Sequence, residues 1–373
     1  MGQTAERIRS KGEGVTRVLV VDDSALMRRQ LMRMFDAEPD MEVVMARDGA
    51  DALERVRDFR PHVVTLDIHM PVMDGLECLS RIMTEMPTPV VMVSSLTEQG
   101  ALATLEAMEL GAVDYIQKPG GTVTVDMERV RRELIEKVRA AATARIGGVS
   151  DTEIDPAEPV AVTSPRRAET MPVSREGVVL IGVSTGGPRT LESILPELPA
   201  DFPWPVLVAQ HMPSSFTGVF AKRMNERCQL TVTEVDKLTD IRPGGVYIAR
   251  GDADMVMTNR NGVLKAMPVP SDESGFWHPS VNRLVKSAIE QLPSASIAGV
   301  LLTGMGDDGA ESMAELYHGG GFTIAESEAT AVVWGMPKAL IDRGAADMVI
   351  PSNLVAQQLL RHLRQVGQNA ETA

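Results

Sequence analysis

Residues 178–188 read Val-Val-Leu-Ile-Gly-Val-Ser-Thr-Gly-Gly-Pro. The first six are apolar or small and mostly β-branched, the pattern of a strand buried on both faces. A Gly-rich turn follows at once, and Pro188 suits the first turn of a helix predicted over 189–195. A buried strand running straight into a helix is the unit of a parallel α/β sheet. Outward from it, strands are predicted at 205–210, 245–248, 297–302 and 322–325, with a helix over 309–317. These elements fill a domain expected to span 177–366.

The same alternation occurs upstream. Strands at 17–21, 42–46, 62–66, 90–93 and 114–116, with helices such as 24–36 and 49–59, fill a domain expected over 17–147. Residues 148–176 are rich in Pro, Glu, Thr and Ser without apolar periodicity, and read as a linker. The ends, 1–16 and 367–373, read as tails. The expected fold class is α/β: two doubly wound parallel-sheet domains, each of three layers, joined by a linker.

Open parallel sheets bind ligands beyond the carboxyl ends of their strands. In the second domain, Gly182-Val183-Ser184-Thr185-Gly186 fits G-x-S-x-G, in which the glycines permit a tight turn that exposes a serine hydroxyl. Backbone N–H groups at the following helix start point toward the same spot and could receive an oxyanion. A phosphate cradle competes for this turn, but the G-x-G-x-x-G spacing fails and no Gly-Lys-Ser/Thr follows. A nucleophilic serine needs a base. Of the 6 histidines, His62 and His69 belong to the first domain, and His318 and His362 read as surface residues. His211 ends the strand after the serine's own and is favoured; His278, in a loop, could instead line a substrate. The orienting acid is expected at the Gly-rich turn 303–309, from Asp307 or Asp308. Either could also be a helix N-cap. The chain order serine, histidine, aspartate differs from that of α/β-hydrolases.

In the first domain, strand ends carry Asp22 and Asp23, Asp67, Ser94 and Lys118. Clustered carboxylates raise one another's pKa unless a cation joins them, and a hard ion such as Mg²⁺ suits an oxygen-only set. With the cation and Lys118 screening charge, a carboxylate could accept a phosphoryl group. Taken singly, Asp22 and Asp23 also read as helix caps and Lys118 as a surface lysine; convergence at successive strand ends favours the site.

Composition narrows the partners. With 37 basic against 51 acidic residues the net charge is −14, which argues against unspecific nucleic-acid or anionic-membrane binding. Aromatics at 3% disfavour a stacking reader of nucleic acid. Two distant cysteines, Cys78 and Cys228, exclude a disulfide framework and a Cys-built zinc site. No apolar run approaches the ~18 residues of a membrane helix, and the N-terminus has no apolar signal region. A cytoplasmic protein without membrane insertion is expected.

Residues 17–138 resemble a response-regulator receiver domain, through Val20-Val21-Asp22-Asp23-Ser24, the run Leu-Asp-Ile-His-Met-Pro-Val-Met-Asp-Gly at 66–75, Val93-Ser94-Ser95 and Lys118-Pro119. The resemblance implies phosphorylation of Asp67, Mg²⁺ held by Asp22, Asp23 and Asp67, and phosphoryl sensing by Ser94 and Lys118. Tyr115 falls where that family often has a switch aromatic; a half-buried strand tyrosine is the alternative.

Residues 176–365 resemble the catalytic domain of chemotaxis protein-glutamate methylesterases, in which a receiver precedes a serine esterase. The matching text is 181–188, Gln210-His211-Met212-Pro213 with Phe216-Thr217, 302–309 and Trp334-Gly335-Met336-Pro337. The resemblance implies a triad of Ser184, His211 and Asp308, with Thr185 and Met305 lining the site and no cofactor there. It implies release of methanol from glutamate γ-methyl esters of methyl-accepting chemotaxis receptors, with a sensor histidine kinase as phosphodonor. The linker permits a further expectation, that the unphosphorylated receiver packs across the esterase mouth and that phosphorylation of Asp67 weakens that interface. Deamidation of receptor glutamines, a paralogue serving non-chemotactic receptors, and a non-catalytic switched binding module are the alternatives. Three departures stand out: Asp307 for a common Asn, expected to add charge beside Asp308; Arg250 for a common Pro; and Asn282 for a frequent Asp.

Overall fold

The computed structural model describes residues 14–95, 97–118, 127–145, 160–161, 177–271 and 277–372. The chain divides into two compact units, 1–148 and 149–373. Nearly all of the expected linker, 148–176, and most of the N-terminal tail lie outside the described residues.

In the first unit, β1 (Thr16–Val21), β2 (Met41–Ala46), β3 (Val63–Asp67), β4 (Val90–Ser94) and β5 (Asp114–Gln117) form one sheet in the order β2-β1-β3-β4-β5. All its pairings are parallel. The helices are α1 (Ala25–Asp36), α2 (Gly49–Phe59), α3 (Gly75–Glu85), α4 (Glu98–Glu109) and α5 (Met127–Ala142). Polar side chains start them: Ser24, Asp48, Asp74 and Thr97 each accept an amide of the first turn. β3 and β4 are buried along their whole length, which explains their mostly apolar sequences. The strand order reverses at β1 and β3, and ligand crevices open at such a point.

The second unit contains β6 (Val160–Ala161), β7 (Val178–Val183), α6 (Gly187–Ile194), β8 (Val206–Gln210), α7 (Ser214–Arg227), β9 (Thr231–Val235), β10 (Thr239–Asp240), β11 (Gly245–Ala249), β12 (Ala253–Arg260) and β13 (Val263–Pro270). It continues with α8 (Val281–Gln291), β14 (Ile297–Leu301), α9 (Ala310–His318), β15 (Phe322–Glu326), α10 (Met336–Asp342), β16 (Met348–Ile350) and α11 (Val355–Thr372). The main sheet runs β6-β16-β15-β14-β7-β8-β11-β9. It is parallel except at β6, which pairs antiparallel with β16. Here the switch point lies between β7 and β14.

Two features depart from the expected layout. A separate antiparallel sheet, β10-β13-β12, stands beside the parallel one. And α11 continues through residues read as a C-terminal tail.

Glycine fixes how closely the switch-point elements approach. A Cβ on Gly182, within β7, would lie 2.4 Å from Val281 Cγ1, and one on Gly309 would lie 2.5 Å from the same atom. The first residue of α8 therefore nests between β7 and the loop after β14. Among the described residues, no helix is long and apolar enough to cross a membrane.

Candidate functional site

The first unit gathers acid at its switch point. Asp22, Asp23 and Asp67 each present an oxygen, all within 4.8 Å of one another. Asp22 and Asp67 are buried while Asp23 is exposed. Lys118, just past β5, sits 2.7 Å from Asp67 Oδ2 and 3.1 Å from Asp22 Oδ2. Burial, helped by the charge of Asp22, outweighs the Lys118 hydrogen bond and charge and lifts the Asp67 carboxyl above its ordinary range. Burial opposes the Lys118 charge, yet the two carboxylates raise that ammonium above an ordinary lysine. An all-oxygen set of this kind matches the donor chemistry of a hard divalent cation. Ser94 is buried one residue beyond the partner of Asp67 on β4, with its hydroxyl 3.2 Å from the Gly100 carbonyl. Tyr115 is fully buried, not half-buried, under the Lys137 ammonium 5.0 Å from its ring.

The second unit brings Ser184, His211 and Asp308 into one line. Ser184 follows β7 and His211 follows β8, its hydrogen-bonded neighbour; Asp308 lies beyond β14, the neighbour on the other side. His211 Nδ1 is 3.1 Å from Ser184 Oγ, and Nε2 is 2.9 Å from Asp308 Oδ2. Asp308 at Nε2 fixes the tautomer: Nε2–H donates to the carboxylate, leaving the Nδ1 lone pair to accept from the serine hydroxyl. Both Ser184 and His211 are buried.

The surrounding chain holds this line. The Gln210 side-chain amide donates to the Ser184 carbonyl at 3.0 Å and the His211 carbonyl at 3.1 Å, so one group spaces Ser184 and His211. Ser184 N–H donates to the Thr303 carbonyl at 2.9 Å, and the Thr303 hydroxyl to the Thr185 carbonyl at 2.8 Å. The positive φ of the turn, +78°, falls on Gly186 and leaves Ser184 unstrained, unlike the strained nucleophile turn of α/β-hydrolases. Gly186 starts α6, whose N-terminus faces the nucleophile's loop. Thr185 is buried, and Met305 is half-buried in the loop after β14.

Asp308 sits at the start of α8. Its Oδ2 accepts Val281 N–H at 2.7 Å, and its Oδ1 accepts Asn282 N–H at 3.1 Å and Ser280 Oγ at 3.2 Å. Burial pushes this carboxyl up, but the His211 hydrogen bond and charge and the two amides prevail and hold it below the usual carboxylate range. The helix N-terminus acts in the same direction. His278 is committed elsewhere, with Nδ1 2.8 Å from Asp254 Oδ1.

Sequence reasoning missed the grip of Ser280 and α8 on Asp308, although Pro279-Ser280 ahead of an apolar periodic run is a helix-start signal. It missed Gln210 as well, whose role depends on a side-chain direction that spacing does not reveal. The Asp307 carboxylate is 73% exposed and 3.5 Å from Arg343 Nη2. Asn282 Oδ1 accepts Ser312 N–H at 3.1 Å, and Arg250 is exposed beyond β11.

A hydroxyl, an imidazole and an ionised carboxylate in line, next to a helix N-terminus, are the parts of acyl transfer through a covalent serine intermediate. Comparisons with known proteins agree with both units. The family described as CheB methylesterase matches residues 179–359, and the response regulator receiver domain matches residues 18–127. A protein-glutamate methylesterase/protein-glutamine glutaminase of Rhodospirillum rubrum is 53% identical, covering 92% of this chain and 95% of the relative. One of the same description from Rhodopseudomonas palustris is 50% identical, covering 92% and 97%. The solved CheB methylesterase catalytic domain of Thermotoga maritima is 40% identical, covering 50% of this chain and 98% of that one, with a TM-score of 0.48.

Proposed function

The chain belongs to the CheB methylesterase family, and from that premise we propose that it is a serine hydrolase acting on glutamate γ-methyl esters of chemoreceptors, controlled by phosphorylation of its receiver unit. Ser184 Oγ attacks the ester carbonyl while His211 Nδ1 takes its proton. The imidazolium is stabilised by Asp308, and the oxyanion by backbone N–H donors near Ser184. The proton then passes to the departing methoxide, methanol leaves, and water activated by the same imidazole releases the free glutamate side chain. Thr185 and Met305 line the approach. The names of the relatives support a second substrate, a receptor glutamine, for which the leaving group is ammonia. No step of this sequence needs a cofactor. The observation that carries the reading is the Ser184–His211–Asp308 line at 3.1 and 2.9 Å across three adjacent strand ends.

For control, Asp67 would be the phosphoacceptor, with a sensor histidine kinase as donor. Asp22, Asp23 and Asp67 would hold Mg²⁺, which supplies charge neutralisation for phosphoryl transfer. Lys118 contacts the phosphoryl oxygens, and the Ser94 hydroxyl turns from Gly100 toward them. The setting is the cytoplasm, where kinase and receptor tails meet.

The test is methanol release from methylated receptor membranes, with and without a phosphodonor and Mg²⁺. Wild type is expected to release methanol, faster with both additions, and Ser184→Ala to release none above background. Wild-type rates from Ser184→Ala would refute the reading.

A further inference from the structure

Segment 277–280, just ahead of α8, touches two members of the catalytic line. Trp277 lies flat against the His211 ring, with centroids 5.7 Å apart and planes 7° apart. Ser280 Oγ donates to Asp308 Oδ1 at 3.2 Å and accepts Arg283 N–H at 3.4 Å as the cap of α8. The next two residues, Val281 and Asn282, supply the amides that grip Asp308. Acid and base therefore both take their setting from one short piece of chain outside the parallel sheet.

That piece is tied to the antiparallel sheet by Asp254 on β12, whose carboxylate is fully buried. Its Oδ1 accepts Ser280 N–H at 2.6 Å and His278 Nδ1–H at 2.8 Å, and its Oδ2 accepts Arg283 Nη1 at 2.6 Å. Arg283 also donates to the Pro270 carbonyl at the end of β13. Burial opposes ionisation, but the His278, Ser280 and Arg283 hydrogen bonds outweigh it and bring the carboxyl down to about 2. Asp254 thus stays charged throughout the working range of an esterase.

We propose that Asp254 is a positioning residue for ester hydrolysis: it pins residues 277–280 so that Trp277 fixes the plane of His211 and Ser280 fixes the rotamer of Asp308. This deepens the proposed function and rests on its catalytic line. Without the carboxylate, Ser280 N–H and His278 Nδ1–H lose their acceptor and Arg283 loses its ion pair, so the segment must shift to find others. A misplacement of about 1 Å in a catalytic group can cost about a hundredfold in rate.

The experiment compares full-length wild type, Asp254→Asn, Trp277→Ala and Trp277→Phe in methanol release from methylated receptors, with Ser184→Ala as blank. Circular dichroism and melting curves report folding. Asp254→Asn and Trp277→Ala are expected to lower kcat at least tenfold with KM within threefold, and Trp277→Phe, which keeps a flat ring, to recover most of the loss. If Asp254→Asn does not fold, the Trp277 pair decides. A folded Asp254→Asn or Trp277→Ala with wild-type kcat overturns the inference while the proposed function stands. A wild-type chain that releases no methanol overturns both.

Discussion

A single buried side chain shows how tightly the chemistry at the rim is packed. Glu326, the last residue of β15, is fully buried. Its Oε2 accepts Thr303 N–H at 2.7 Å and its Oε1 accepts the Thr330 hydroxyl at 2.8 Å. Thr303 in turn supports Ser184 and Thr185. Burial prevails over these hydrogen bonds and lifts the Glu326 carboxyl from 4.5 to about 7. The folded state therefore holds this proton more tightly than the unfolded state. The stability it contributes is full below pH 4.5 and is lost as pH rises toward about 7. The loss is of the order of 3 kcal/mol. Glu326→Gln keeps an acceptor for Thr303 and carries no charge. It is expected to match wild type in melting temperature near pH 5 and to exceed it by several degrees at pH 8; an equal Tm at pH 8 would show that the buried charge costs nothing.

At the scale of elements, the antiparallel sheet is the part the sequence reading missed, and its turn carried a signal. β12 and β13 pair with Arg260 opposite Val263, leaving Asn261-Gly262 as a two-residue loop. Their φ angles of +56° and +82° are those of the tight hairpin turn that Asn-Gly favours. Nothing lies within 4 Å of a Cβ placed on Gly262, so a substitution there meets only backbone strain. Gly262→Val is expected to destabilise the second unit by about 1–2 kcal/mol in urea titrations. The parallel strands were legible because both their faces are buried: β7, β8, β11 and β14 are buried at every residue and mostly apolar. β9 alternates exposed and buried residues at the sheet edge, and β16 has only 3 residues, so neither gave such a run. Ser184, His211 and the strand-end carboxylates were legible for a topological reason, since parallel sheets direct their strand ends to one rim. Trp277 and Asp254 were not, because their roles depend on where a loop and a second sheet come to rest.

At the scale of the whole molecule, the −14 net charge is far less informative than a few carboxylates. The first unit concentrates three of them around Lys118, with Asp67 raised by burial. A divalent cation that binds there displaces protons, so its stabilisation should grow as pH rises through the raised Asp67 range and fade in acid. Millimolar Mg²⁺ is expected to raise the melting temperature of the full chain at pH 7.5, with a smaller rise at pH 4.5 and none in Asp67→Ala. An equal shift in Asp67→Ala would place the ion elsewhere. In the second unit, His211 lies only 27 residues from Ser184, whereas Asp308 lies 97 residues beyond His211. The proposed nucleophile and base sit on the neighbouring strand ends of β7 and β8, whereas the proposed acid needs β14 on the other side of β7. During synthesis on the ribosome, the proposed line of Ser184, His211 and Asp308 therefore stays incomplete until only about a sixth of the 373 residues remain to be added. A polypeptide truncated within β13 lacks Asp308, and its ester hydrolysis is expected to fall by orders of magnitude, whatever its receiver does.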